Sequence, residues 1–127
     1  MNLLLDTHVF LWWDQGGRML PGSTRDAIAR PENHIFISAA SVWEIAIKRR
    51  LGKLTFAGSA SDAIGANGFH TLPIVPEDAE QAGDLAWSHA DPFDRLLVAQ
   101  AMRLNITLVT ADSSIRAFGD VAQLWAG

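Results

Sequence analysis

The sequence has 127 residues, a length for one compact domain, and with 49% apolar against 19% charged residues it can build a core. It holds no Cys, which excludes disulfides, thiolate nucleophiles, Cys-ligated zinc and iron–sulfur chemistry, and which fits a reducing cytosol. Ten Lys and Arg against fourteen Asp and Glu leave a net charge of −4, so a polyanionic ligand needs a local basic patch or a bound cation.

Asn2 to Asp6, with three consecutive Leu, reads as a strand buried on both faces. It meets Asp6 too soon to be a secretory apolar region, and the longest apolar run, Val9 to Trp13, is far short of a membrane span of about 20 residues. Thr7 to Asp14 follows as a short helix ended by Gly16-Gly17. Ser23 or Thr24 caps a helix through Ala29, stopped at Arg30-Pro31. His34 to Ser38 is a second buried strand, and Ala39 to Leu51 a helix terminated by Gly52. After a loop from Ala57, Ser61 to Ala66 reads as a small helix and Thr71 to Val75 as a strand. Pro76, followed by Glu77, Asp78 and Glu80, opens a helix ending near Ser88. Asp91-Pro92 opens another to about Leu104. Ile106 to Thr110 is a strand, Ser113 to Phe118 a short helix, and Val121 to Trp125 a last strand. Strands alternating with helices imply right-handed crossovers and a mainly parallel sheet with helices on both faces. The expected architecture is one three-layer α/β/α domain over residues 1–127.

Phosphate loops of the G-x-G-x-x-G and G-x-x-x-x-G-K-[ST] kinds are absent, as are a G-x-S-x-G elbow and any Tyr. Carboxylates at element boundaries stand out: Asp6, Glu44, Asp91, Asp94 and Asp112. Singly, each has a structural explanation. Asp6, Asp91 and Asp112 precede helices as N-caps, Asp94 suits a first helical turn, and Glu44 is placed to pair with Lys48 four residues on. Jointly they point elsewhere, because the carboxyl ends of parallel strands share one edge where ligands bind. Asp6 closes the first strand, Asp112 lies just past Thr110 at the end of another, and Glu44 shares an inward helical face with Ala40, Ile47 and Leu51. Converging carboxylates repel, and a hard divalent cation, Mg²⁺ or Mn²⁺, relieves that with oxygen ligands and waters that can attack a phosphodiester. The four His, among them His8 beside Asp6 and His89, form no H-E-x-x-H motif. A receiver-type domain fits poorly, since Thr7 stands where an adjacent acid is needed and the only lysines are Lys48 and Lys53.

The segments Leu-Leu-Leu-Asp6-Thr7-His8, Ser-Val-Trp-Glu44-Ile-Ala-Ile-Lys48, Asp91-Pro-Phe-Asp94-Arg95-Leu-Leu and Leu-Val-Thr110-Ala-Asp112 resemble the PIN domain, and more closely its VapC-type toxins. The resemblance runs in order along essentially the whole chain. It implies a metal-dependent endoribonuclease, homodimeric, cytoplasmic and neutralised by a cognate antitoxin. On that resemblance Asp6, Glu44, Asp94 and Asp112 match the acidic quartet and Thr110 its hydroxyl neighbour. Asp91 matches a position near the site, as a helix cap or a support for the ligands.

Lys48, Arg49, Arg50 and Lys53 form the one basic cluster, at a helix C-terminus where positive charge also suits the macrodipole. Arg95 is a candidate for reaching a phosphate or steadying a site carboxylate. Trp12 and Trp13 are about 100° apart on a helix, so one is expected in the core and the other on a partner or a base. Trp43, Trp87 and Trp125 are expected in the core. The leading function is RNA hydrolysis by a metal-activated water. The alternatives are a PIN-like module that binds RNA or protein without cleaving, which has no need of clustered like charges, and a phosphohydrolase of small substrates.

Overall fold

A computed structural model describes all of residues 1–127. Five strands, β1 (Asn2–Leu5), β2 (His34–Ser38), β3 (His70–Leu72), β4 (Thr107–Thr110) and β5 (Gln123–Trp125), form one sheet in the order β3-β2-β1-β4-β5. Every pairing is parallel. Seven helices connect them: α1 (Thr7–Asp14), α2 (Gly22–Ala29), α3 (Ala39–Arg50), α4 (Ala60–Ala66), α5 (Pro76–Asp84), α6 (Pro92–Leu104) and α7 (Ser113–Phe118). The expected α/β/α layering with a parallel sheet is therefore present.

The three leucines of β1 show how the layers are built. Successive strand residues point to opposite faces. Leu3 and Leu5 enter a core with Val9, Phe10, Ile28 and Ile64, whereas Leu4 enters a second core with Leu97, Val98, Leu108 and Ile115. All three are fully buried. Strand order steps outward from β1 in one direction to β2 and β3, and from β1 in the other to β4 and β5. The carboxyl ends of β1 and β4 therefore flank a switch point, where the connections diverge and leave a crevice.

Several boundaries differ from the sequence reading. α2 begins at Gly22 behind Pro21, so Ser23 and Thr24 lie inside it, and the buried Thr24 hydroxyl has no hydrogen-bond partner. β3 ends at Leu72 because Pro73 has no N–H to continue the ladder. β5 starts at Gln123 rather than Val121. α5 stops at Asp84, and the loop from Leu85 to Asp91 turns its carbonyls toward the Arg95 guanidinium instead. No helix is long and apolar enough to cross a membrane.

Two buried polar networks hold the helices on the second face. Ser38 caps α3 by accepting from Ala40 N–H and donates to Gln100, whose amide donates to the Pro73 carbonyl 3.1 Å away. Asp78, fully buried in the first turn of α5, accepts from Val75 N–H and is gripped by Arg103 through two oxygens. Burial alone would raise the Asp78 carboxyl, but the bonds from Arg103 and the Val75 N–H outweigh it and hold it below the ordinary value. Its contribution is thus present above the usual carboxylate range and is lost as pH falls through the lowered value. Asp78→Ala is expected to cost about 1–3 kcal/mol at pH 7, the range for stranding buried hydrogen-bond partners, with a smaller difference in acid. Urea unfolding of both proteins at two pH values measures it. An unchanged midpoint at pH 7 would reduce the pair to a surface contact.

Candidate active site

The carboxyl edge of the sheet gathers the acids that the sequence singled out. Asp6 ends β1 and caps α1, its Oδ1 accepting from Val9 N–H at 3.0 Å. Its other oxygen accepts from the Thr110 hydroxyl at the end of β4, and the same Thr110 oxygen accepts from Asp112 N–H. Asp112 caps α7 through one oxygen, which takes the N–H groups of Ser114 and Ile115. Asp91 likewise caps α6, accepting from Phe93 and Asp94 N–H through a single oxygen. The capping explanation of each aspartate is correct, yet it uses one oxygen of the two. For Asp91 and Asp112 the second oxygen makes no hydrogen bond within the chain.

Glu44 points inward from α3 and is 4% exposed, as is Asp6. The buried face of α3 comprises Ala40, Ser41, Glu44 and Ile45, so Leu51, expected on that face, is exposed instead. The Thr7 hydroxyl lies 2.6 Å from Glu44 Oε1 and 2.9 Å from Ser41 Oγ. Its single proton goes to the carboxylate, the stronger acceptor, and Ser41 donates to Thr7. Lys48 Nζ stands 2.5 Å from the other Glu44 oxygen.

These side chains line one small cleft of about 60 Å³: Asp6, Thr7, His8, Glu44, Lys48, Asp91, Asp94 and Asp112. No lining residue is hydrophobic, and Lys48 is the single Lys or Arg among five carboxylates. The volume suits an ion with little water. A larger hollow of about 630 Å³ lies at the amino ends of β1 and β2, against Met1, Leu3 and Asn33, but gathers only Arg30 and Glu32 as charges.

Crowding and burial move the protons of the cleft. Burial pushes the Asp6 carboxyl up, against the opposing pull of Thr110, the Val9 N–H and His8. Asp94 rises to about 6, first because it is desolvated and then because Asp91 and Asp112 face it, with His89 pulling the other way. Lys48 is raised by its bond to Glu44, and the charges of Glu44, Asp91 and Asp94 add to that.

Other expectations need correcting. The Arg95 guanidinium reaches neither a carboxylate nor the cleft. It donates to the carbonyls of Ala82, Gly83, Leu85, Trp87 and His89, and so clamps the loop between α5 and α6. Arg49 is similarly used on the carbonyls of Phe56 and Gly58. Trp12 and Trp13 are both half-buried against the first core, Trp13 also donating to Asn67. Trp43 is the exposed tryptophan, at 55%, because it points off the buried face of α3; its ring meets Phe93 edge-on at 5.2 Å. Trp87 packs on Phe118 at the second core, and Trp125 is half-buried under Arg116. Sequence reasoning passed over His89, whose Nε2 lies 2.7 Å from Asp94 Oδ2. It lies five residues before Asp94 outside any helix, so no periodicity signals it.

The fold has known counterparts. Residues 3–121 match the model of the PIN domain. No curated protein sequence matches the chain. Among solved structures, the chain is similar to VapBC2 from Rickettsia felis bound to a promoter DNA fragment, with a TM-score of 0.67 and 14% identity over 100% of both chains. It is also similar to VapBC-1 from nontypeable Haemophilus influenzae, at TM-score 0.64 and 16% identity over 98% of each chain. A toxin–antitoxin complex from Klebsiella pneumoniae gives 0.67 and 18% identity over 96% of this chain and 95% of that one. At these identities the likeness speaks for the fold, and the family rests on the sequence model spanning nearly the whole length: the chain belongs to the PIN domain family.

Proposed function

We propose that this protein is a divalent-metal-dependent endoribonuclease, the toxin of a toxin–antitoxin pair, acting as a homodimer and held inactive by a cognate antitoxin. The observation that carries the reading is the cleft itself: five carboxylates around one polar hollow at the switch point, with one lysine to balance them. Without a cation such a cleft repels a polyanion, which argues against a module that merely binds RNA. The pairing with an antitoxin comes from the family resemblance and from neighbours that are themselves toxin–antitoxin complexes. The homodimer comes from the resemblance, with the exposed Trp43 and half-buried Phe93 as an aromatic surface for it.

The donor set fits Mg²⁺ or Mn²⁺. Asp6, Glu44, Asp94 and Asp112 would hold the ion, offering the hard oxygen ligands it prefers. Bound there, a divalent cation supplies Lewis acidity toward the phosphodiester and toward the attacking water. The chain's own residues supply the rest. Thr110 and the Val9 N–H fix Asp6, Thr7 fixes Glu44, and the caps of α6 and α7 fix Asp91 and Asp112. Lys48 offsets one negative charge and is the cation at the cleft for a phosphate oxygen to meet. No side-chain nucleophile is needed.

Asp6→Ala, Glu44→Gln and Asp94→Asn are each expected to lower cleavage of labelled single-stranded RNA in Mn²⁺ by more than about 100-fold, since even residues behind the ligands cost 10–100-fold. EDTA should abolish wild-type cleavage. Undiminished cleavage by any two of these variants refutes the site.

Stability should show the same charges. Asp94 is raised from its ordinary value near 3.8 to about 6, so the fold favours its neutral form. That stability is complete below the unfolded value and is lost as pH rises through about 6. Two units correspond to about 3 kcal/mol, which access of water to the cleft reduces to about 1 kcal/mol. In EDTA at pH 7–8, Asp94→Asn should therefore melt a few degrees above wild type, the gap closing below about pH 4. Saturating Mn²⁺ should narrow or reverse it by stabilising wild type more. A variant that melts lower than wild type in EDTA, with no response of wild type to Mn²⁺, would leave Asp94 a helix-terminal carboxylate only.

A further inference from the structure

His89 stands outside the residues that line the cleft and reaches its edge only through Asp94. It is half-buried, and its Nε2 lies 2.7 Å from Asp94 Oδ2. One ligand atom each from His89, Asp94 and Asp112 lie within 4.8 Å of one another. The imidazole does not swing freely. Arg95 binds the carbonyls of Trp87 and His89 at 2.7 and 2.9 Å, and the Trp87 ring packs on the imidazole with centroids 4.8 Å apart. A charged guanidinium and an indole are thus both used to hold one histidine against one aspartate. In a six-coordinate site with bonds of about 2.1 Å, neighbouring ligand atoms stand about 3 Å apart and opposite ones about 4.2 Å. The 2.7 Å between His89 and Asp94 is close to the neighbouring spacing, and a shared ion requires the set, now within 4.8 Å, to draw in to about 4.2 Å.

We propose that His89, Asp94 and Asp112 form a mixed nitrogen–oxygen cation position that selects Mn²⁺ over Mg²⁺. This deepens the nuclease reading and rests on it for the cleft being a metal site. Its basis is donor chemistry. Mg²⁺ binds through oxygen and demands water-rich octahedra, whereas imidazole nitrogen is a good donor to first-row transition ions. A carboxylate-only cleft would discriminate weakly between the two ions. Replacing one oxygen by nitrogen tilts the preference, and Asp94, touched by His89, places that nitrogen beside the quartet. Arg95 and Trp87 are then positioning residues, acting through His89.

The test reads the ion rather than activity. Mn²⁺ bound to the wild-type protein should give ¹⁴N modulation in electron spin-echo spectra, the signature of directly bound imidazole. His89→Gln should lose the modulation and bind Mn²⁺ about tenfold more weakly, with Mg²⁺ affinity within about twofold of wild type. His8→Gln, altering the histidine that lines the cleft, should keep the modulation. Bound Mn²⁺ without ¹⁴N modulation in wild type overturns the proposal, as does modulation that survives His89→Gln or disappears in His8→Gln. Equal weakening of Mg²⁺ and Mn²⁺ by His89→Gln also overturns it, since His89 would then only orient Asp94. RNA cleavage in Mg²⁺ alongside any of these outcomes leaves the nuclease reading standing. No Mn²⁺ binding and no metal-dependent cleavage would remove both.

Discussion

Three of the helices that start at the carboxyl edge of the sheet start on an aspartate. Asp6, Asp91 and Asp112 cap α1, α6 and α7, and Asp94 follows in the first turn of α6. A helix that follows a parallel strand begins at this edge, and so does α6, which leads back into β4, so residues chosen as caps are carried to one place by the topology. A cap takes one carboxylate oxygen; the other makes no hydrogen bond within the chain at Asp91 and Asp112, and at Asp6 accepts from Thr110. Structural and chemical roles are therefore carried by different atoms of the same side chain.

That arrangement is costly unless something compensates. Two carboxylates about 5 Å apart repel by roughly 3 kcal/mol at an effective dielectric near 20, whereas a cap is worth about 1 kcal/mol. Capping alone does not balance the cluster. Lys48 neutralises one charge at Glu44, and the upward shift of Asp94 to about 6 lets a proton neutralise another only below that pH. The charge still left over is the physical reason to place a divalent cation here. Around the cleft, buried polar contacts fix two of the carboxylates, Thr110 on Asp6 and Thr7 on Glu44, with Ser38 and Gln100 joined behind the start of α3. Rigidity of this kind keeps like charges in register when no ion shares them.

Much of this was legible in the sequence because it depends on local rules. The unbroken leucines of β1, the Asp-Pro opening of α6 and the Thr-x-Asp at the end of β4 each specify a boundary through backbone chemistry. The bounds of α1, β2 and α7 follow directly. What escaped depends on contacts distant in sequence or on the absence of a pattern. Arg95 reads as a phosphate ligand next to Asp94, but its fork is satisfied by carbonyls of the last turn of α5 and of the loop after it, whose course only the tertiary structure defines. The end of α5 was misplaced for the same reason, since those carbonyls leave the helix to meet Arg95. Trp43 reads as core by hydrophobicity, although it lies off the buried face of α3. His89 has no motif at all, and its place beside Asp94 emerges from the loop that Arg95 clamps.

The central claim is that the acidic edge hydrolyses a phosphodiester with water and a divalent ion. Cleavage of RNA in H₂¹⁸O with Mn²⁺, followed by mass spectrometry of the products, tests it most directly. The account predicts a linear phosphate monoester carrying one solvent oxygen, and no product in EDTA. A 2′,3′-cyclic phosphate without solvent oxygen, formed equally well in EDTA, would contradict it.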